Sequence, residues 1–293
     1  MAASTPESVR SIRVIASGFP GYCFAANLIG TNGTVALLSP AGEGPHSHQL
    51  TPAELRKLQT ADLVVINGLG LEPWSDRLRE LSAKTGRPKI VACSSGLNSE
   101  LIESGDEGGH DHKNHREASH QHSERFNPHI WLDPLLARHA ATNIAMALIE
   151  VAPSQKTAFE SQLTGYSARL EQLHQEIARS VQSFSTRGIV TYHDAFPYFL
   201  KRYQLKLVGV IQAQEDGSAL PKSLSMLSRK IRSAGIKVIF AEPQFNQRLA
   251  RRLGSDLGVQ VDSLDTLETG PETPGGYEDA MRKNLKTLER HLR

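Results

Sequence analysis

Histidine is the residue whose placement promises chemistry, with twelve in 293 residues, and they cluster. Three occupy one kind of place. His46 lies in Gly44-Pro45-His46-Ser47-His48, His129 in Asn127-Pro128-His129-Ile130, and His193 follows Val190-Thr191-Tyr192, each beside an expected strand end and ahead of an expected helix start. A single such histidine reads as structural, but three that face one crevice point to a metal ion, because neutral imidazole is the commonest zinc ligand. Zinc takes four ligands, so a carboxylate should complete the set. Asp262, in Val261-Asp262-Ser263-Leu264, ends an expected strand at the matching place. Glu242, in Ile239-Phe240-Ala241-Glu242-Pro243, is the rival, or a group that orients an imidazole from behind. Both acids have N-capping of the following helix as their plainer reading. His48 is a possible accessory ligand.

A second signal is separate from the first. His110, His112, His115, His120 and His122 fall within thirteen residues, interleaved with Asp106, Glu107, Asp111 and Glu117. Residues 105–125 offer nothing to build a core from, so they read as a solvated loop. Its composition suits loose capture of a borderline divalent ion more than a plain charge run.

The elements that must position these residues alternate in type. Short β-branched runs at 12–17, 34–39, 62–67 and 89–92 read as strands with helical stretches between, and Thr51-Pro52-Ala53-Glu54 is a capping box with proline at the first helical position. Asp133-Pro134 opens a helix reaching residue 151, and a second runs over 154–183. The alternation then resumes: strands at 188–192, 207–211, 237–241 and 260–264, helices at 194–203, 221–233, 246–257 and 277–292. The fold class is therefore α/β, two βα lobes with parallel sheets joined by one long rigid helix and the metal in the cleft between them. The expected boundaries are an N-terminal lobe over 1–133, a linking helix over 134–152 and a C-terminal lobe over 153–293.

Composition narrows the classes. Hydrophobic residues make up 39% and charged residues 22%, ordinary for a folded domain. With 33 basic and 31 acidic side chains the net charge is +2, which gives no basic field for nucleic acid. No apolar run approaches the roughly 18 residues of a membrane span, and no export signal is evident at the start; an extracytoplasmic chain would have had it removed. Cys23 and Cys93 each sit in an apolar segment and read as buried thiols.

These residues, taken in order, closely resemble the zinc/manganese solute-binding proteins (cluster A-I) of ABC transporters, nearest their zinc branch. The likeness covers nearly the whole chain. It rests on Pro45-His46 leading to Leu50-Thr51-Pro52, on Ala61-Asp62-Leu63-Val64-Val65 with Gly68 and Leu71-Glu72, and on Asn127-Pro128-His129-Ile130-Trp131-Leu132. In the second half it rests on Tyr192-His193-Asp194-Ala195-Phe196 with Tyr198, Ile239-Phe240-Ala241-Glu242-Pro243-Gln244, and Tyr277 with Met281 and Asn284. The resemblance implies an extracytoplasmic or membrane-anchored binding protein, monomeric, that holds its ion in the cleft and delivers it to a membrane permease. It implies His46, His129 and His193 as nitrogen ligands and Asp262 as the carboxylate, although the turn around Asp262 departs from the family's usual one. Histidine at the third position and a histidine-rich loop before Asn127 are similar to the zinc members; manganese members tend to carry glutamate there. Ligand softness agrees, since three imidazoles suit Zn2+ better than Mn2+.

Three functions compete. A carrier wants a closed coordination shell and no turnover. A metal-dependent hydrolase would use His46-Ser47-His48 as a ligand pair and Glu242 as a general base, but needs an open position for water and further ligands that the other strand ends lack. A metal buffer or surface adhesin would use the histidine loop alone. Gly68-Leu69-Gly70 lacks the pattern of a phosphate loop. The expected function is thus a non-enzymatic carrier of Zn2+, with Mn2+ or another divalent ion as the alternative cargo.

Overall fold

A computed structural model of the chain describes residues 10–38, 44–46, 48–104, 125–211, 221–244 and 247–293. Two four-stranded sheets, all parallel, carry the fold. The first has the order β2 (Gly33–Leu37), β1 (Ile12–Ala16), β3 (Leu63–Ile66), β4 (Lys89–Ala92). The second repeats it with β6 (Lys206–Val210), β5 (Gly188–Thr191), β7 (Val238–Ala241) and β8 (Gln260–Ser263). In each sheet the chain starts at an inner strand, steps to the edge and returns past it. The next strands therefore lie on the other side of the first, and a crevice opens at the carboxyl ends where the order reverses. The expected two-lobed α/β architecture is the one found.

Helices follow the expected signals closely. α1 is Phe19–Ile29, and α2 is Pro52–Thr60, opened by the capping box of Thr51 and Glu54. α3 is Ser75–Thr85, closed by Gly86 in the left-handed conformation (φ 73°). α4 (Pro134–Val151) starts at Asp133, whose carboxylate accepts from the Leu135 N–H at 2.9 Å. α5 (Lys156–Gln182) is the longest helix, with 27 residues. α6 (Pro197–Tyr203), α7 (Pro221–Ser233), α8 (Arg248–Leu257) and α9 (Gly276–Leu292) complete the second half. One helix start is displaced: Asp194 does not cap α6. Its carbonyl instead accepts from the Asn127 side chain at 2.6 Å, and Pro197, which suits a first helical turn, opens the helix three residues later.

Each sheet buries one face under its own helices. In the first half Val64 and Ile66 pack with Leu58 of α2 and Leu78 of α3; in the second Val190 and Ile239 pack with Ile231 of α7 and Ala250 and Leu253 of α8. The opposite faces share a single core. Val14, Ala16 and Val65 of the first sheet and Ile189, Val238 and Phe240 of the second belong to one apolar cluster, filled by α1, α4, α5 and α9. Within α5 the buried residues Phe159, Tyr166, Leu170, Leu173, Ile177 and Val181 recur at helical spacing and line up toward α1, α4 and α9. Cys23 and Cys93 are free and buried, and burial pushes the Cys23 thiol up to about 12. No helix among the described residues is long and apolar enough to cross a membrane.

Asp133 ties the α4 start to the second half, because its other oxygen accepts from Arg202 Nε of α6 at 2.7 Å. Asp133→Ala removes a cap and strands a charge-assisted hydrogen bond together. It should lower stability by about 2–4 kcal/mol, read as a drop in urea midpoint at unchanged slope.

Candidate metal centre

Four donors meet where the two sheets' carboxyl ends face each other. His46 lies beyond β2, next to the buried Pro45. His129 is held between the bridge that pairs Glu103 with Phe126 and the single 3-10 turn Ile130–Leu132, which leads into Asp133 and α4. His193 stands two residues past β5. The fourth donor is Glu268, in the connection from β8 to α9, preceded by Leu267 in the left-handed region (φ 59°).

The Nε2 atoms of His46 and His129 are 3.4 Å apart, and those of His129 and His193 are 3.3 Å apart. Glu268 Oε1 is 3.4 Å from His129 Nε2, 3.7 Å from His193 Nε2 and 3.9 Å from His46 Nε2. Four zinc ligands at about 2.0–2.1 Å form a tetrahedron with edges of about 3.3–3.4 Å; His46, His129 and Glu268 form a mutually close group near that size, and His193 adjoins it through His129 and Glu268. Glu268 Oε1 is buried and has no hydrogen-bond partner among the described residues. A buried carboxylate left so costs several kcal/mol unless a cation meets it.

The imidazoles are aimed by hydrogen bonds from behind. Asn127 Nδ2 donates to the Asp194 carbonyl, which turns its Oδ1 toward His129; that oxygen accepts from the His129 backbone N–H at 3.1 Å and from Nδ1 at 2.9 Å. Glu242 does the same for His193, with Oε1 accepting from its backbone N–H at 3.2 Å and from Nδ1 at closer range. With Nδ1 donating in both rings, the lone pair of each neutral ring sits on Nε2 and points into the site. Glu242 is itself held by Gln244 Nε2 at 3.4 Å, and Gln247 donates to its carbonyl at 3.2 Å.

Electrostatics set the resting charges. Burial pushes the His129 imidazole down to about 4, so it is neutral at physiological pH. Burial opposes ionisation of Glu268 too, but the approach of His129, with His46 and His193 beside it, outweighs burial and holds the carboxyl well below its usual range. For His193, burial lowers the pKa while Glu242's hydrogen bond and charge carry it above the ordinary value. The site thus rests as an anionic carboxylate among imidazoles, an arrangement that attracts a divalent cation.

Of the residues expected from sequence, His46, His129 and His193 come together as ligand candidates and Glu242 stands behind His193. Asp262 does not join them. It lies inside β8, opposite Phe240, and its Oδ2 accepts from Arg290 Nη1 and His291 Nε2, both at 2.7 Å, in the last turn of α9. Those partners, and not the three histidines, engage Asp262; neither Asp262 nor Glu242 caps a helix. Glu268, which sequence reasoning missed, takes the expected place of the carboxylate. Its one sequence signal is position, past a strand end as His193 is, but Asp265 and Glu272 share that connection and nothing local separates them. His48 turns away to Glu54, with Nε2 3.3 Å from Oε1. His110, His112, His115, His120 and His122 lie outside the described residues.

Comparison with known proteins identifies the family. The family described as ZnuA, zinc-uptake complex component A, periplasmic, matches residues 14–291. The chain belongs to the ZnuA family. Among ZnuA-type relatives, the high-affinity zinc uptake system protein ZnuA of Bacillus subtilis is 30% identical over 285 residues, covering 96% of this chain and 88% of that protein. The zinc-binding protein AdcA of Streptococcus pyogenes is 29% identical over 289 residues, and there this chain spans only 55% of the relative's length. The crystal structure of Zn(II)-bound AdcA from Streptococcus pneumoniae superimposes with a TM-score of 0.79 at 26% identity, covering 97% of this chain and 58% of that one.

The burial of His129 has a measurable consequence in metal-free protein. Its ring proton should titrate near 4 by NMR, against about 6.5 for an unfolded histidine. Because the unfolded chain takes up this proton first, the contribution of His129 to stability is full above pH 6.5 and is lost as pH falls toward 4. A midpoint at or above 6.5 contradicts the buried, neutral ring.

Proposed function

We propose that this chain is the extracytoplasmic solute-binding component of an ABC transporter, capturing one Zn2+ between His46, His129, His193 and Glu268 and delivering it to a membrane permease. The observation that carries the reading is the convergence of His46, His129 and the buried Glu268 carboxylate on one point, with His193 Nε2 3.3 Å from His129 Nε2 and 3.7 Å from Glu268 Oε1. Membership of the ZnuA family supports both the cargo and the transport role. Three nitrogens and one oxygen favour zinc over manganese, which prefers an oxygen-rich shell.

The shell also argues for carriage over hydrolysis. In this reading all four positions are supplied by protein, whereas a catalytic zinc keeps one for water. Glu242, the general base of a hydrolytic reading, is engaged with His193 and is almost fully buried. The His110–His122 segment serves as a loose collector that feeds the fixed site. A monomer suits the surface, where the exposed large hydrophobics among the described residues are only Met146 and Met226.

Calorimetric titration of chelator-stripped protein tests the reading. One Zn2+ should bind tightly per chain, and His129→Ala should abolish tight binding. Glu268→Gln should weaken it about 100-fold and Glu242→Gln about 10–100-fold, the range for groups that orient ligands; Asp262→Asn should leave it within about twofold. Removing residues 105–124 should preserve the single tight site. Binding should fall steeply from pH 6.5 to 5 as protons compete for the imidazoles. Weak, multiple binding that survives His129→Ala but not the deletion would transfer the function to the loop.

A further inference from the structure

Glu268 is carried by the connection that follows the last strand of the second sheet, yet most of what holds the chain beyond it belongs to the first half of the molecule. Before Glu268 the connection is held by Asn284 of α9 and by Trp131. Asp265 exchanges hydrogen bonds with the Asn284 side chain at 2.8 and 2.7 Å, and the Trp131 indole N–H donates to the Thr266 carbonyl at 2.8 Å. After Glu268, residues 270–275 are exposed and form no helix or strand. Their anchor is one face of α1. Tyr22 Oη donates to the Glu272 carbonyl at 2.9 Å, Cys23 Sγ to the Thr273 carbonyl at 3.4 Å, and Asn27 Nδ2 to the Pro274 carbonyl at 2.7 Å. Three consecutive carbonyls are thus met by residues at helical spacing.

The same face ends in a clasp. The ring of Phe19, fully buried at the start of α1, lies between Gly270 and Gly276. A β-carbon on Gly270 would stand 2.5–2.7 Å from three ring carbons of Phe19, and one on Gly276 3.0 Å from the ring tip. Only glycine lets the connection close over that ring. Gly270 is two residues from Glu268, so the clasp fixes the near end of the carboxylate's own segment.

We propose that the α1 face of Phe19, Tyr22, Cys23 and Asn27 is the positioning device for Glu268, tying the carboxylate ligand of the second half to the half that carries His46 and His129. Phe19 and Gly270 are positioning residues that act on the metal through Glu268 and touch no ligand atom. The inference rests on the zinc reading of the site and names which remote contacts set its affinity.

Zinc titration of the full chain with a competing chelator tests it, using Gly270→Ala, Phe19→Leu, Glu268→Gln and the double variant Gly270→Ala/Glu268→Gln, with unfolding of the metal-free forms followed in parallel. Gly270→Ala and Phe19→Leu should each weaken zinc binding about tenfold or more. In the Glu268→Gln background, Gly270→Ala should add less than about twofold, because a clasp that acts through the carboxylate has nothing left to position. Gly165→Ala, where no atom meets the added methyl, should bind as the native chain does. Native affinity in both single clasp variants overturns the inference, and so does a Gly270→Ala loss equally large with and without the carboxylate, which marks a general loss of structure. Should Gly270→Ala not fold, Phe19→Leu with Phe19→Leu/Glu268→Gln completes the same cycle. If His129→Ala binds zinc as tightly as the native chain, the reading of the site itself fails, a result distinct from native binding by the clasp variants alone.

Discussion

His46, His129 and Glu268 stand 3.4–3.9 Å from one another, with His193 3.3 Å from His129 and 3.7 Å from Glu268, only because one apolar core fixes the two sheets against each other. Each sheet gives one face to that core, and α1, α4, α5 and α9 fill the space between. An interface so continuous and apolar disfavours free hinge motion, since parting the sheets would expose Phe24, Tyr166 and Tyr277, which pack on one another at its centre. The candidate metal centre is therefore a consequence of packing at a distance. Its geometry needs neither sheet to close over the ion.

Within that frame the donors are prepared by partners that accept and never compete. Asn127 Oδ1 and Glu242 Oε1 each take a backbone N–H and an Nδ1–H from the histidine they face, so both the chain and the ring are oriented by one atom. The amide is turned by Asp194 of the His193 segment, which couples the two histidine segments directly. The Asn127 carbonyl in turn accepts from Tyr198 Oη at 2.8 Å. Polar groups so thoroughly paired leave Glu268 Oε1 as the unsatisfied member, and its position against three nitrogens makes a cation the natural partner.

What the sequence disclosed followed from the range of its signals. Strand and helix spans, the capping box at Thr51, the Asp133 start of α4 and the three histidines were legible because each depends on neighbours in the chain. Asp262 was chosen by the same local logic, as the acid nearest a strand end, and it failed because strand position does not say which end of a helix packs beside it. Arg290 and His291 lie almost thirty residues further on and claim it. Glu268 was hidden for the complementary reason: its place depends on Leu267 adopting φ 59° and on contacts with Trp131 and Phe19, none of which leaves a mark in residues 264–275. The start of α6 moved for a similar cause, when Asp194 was taken by a partner 67 residues away.

The exposure of the four donors differs in a way that orders their roles. The side chains of His129 and Glu268 are 4% and 5% exposed, those of His193 and His46 20% and 45%. In the zinc reading proposed above, the carboxylate whose charge would draw a cation lies deepest, in the least polar surroundings, where a charge interacts most strongly, and the two more exposed imidazoles lie between it and solvent.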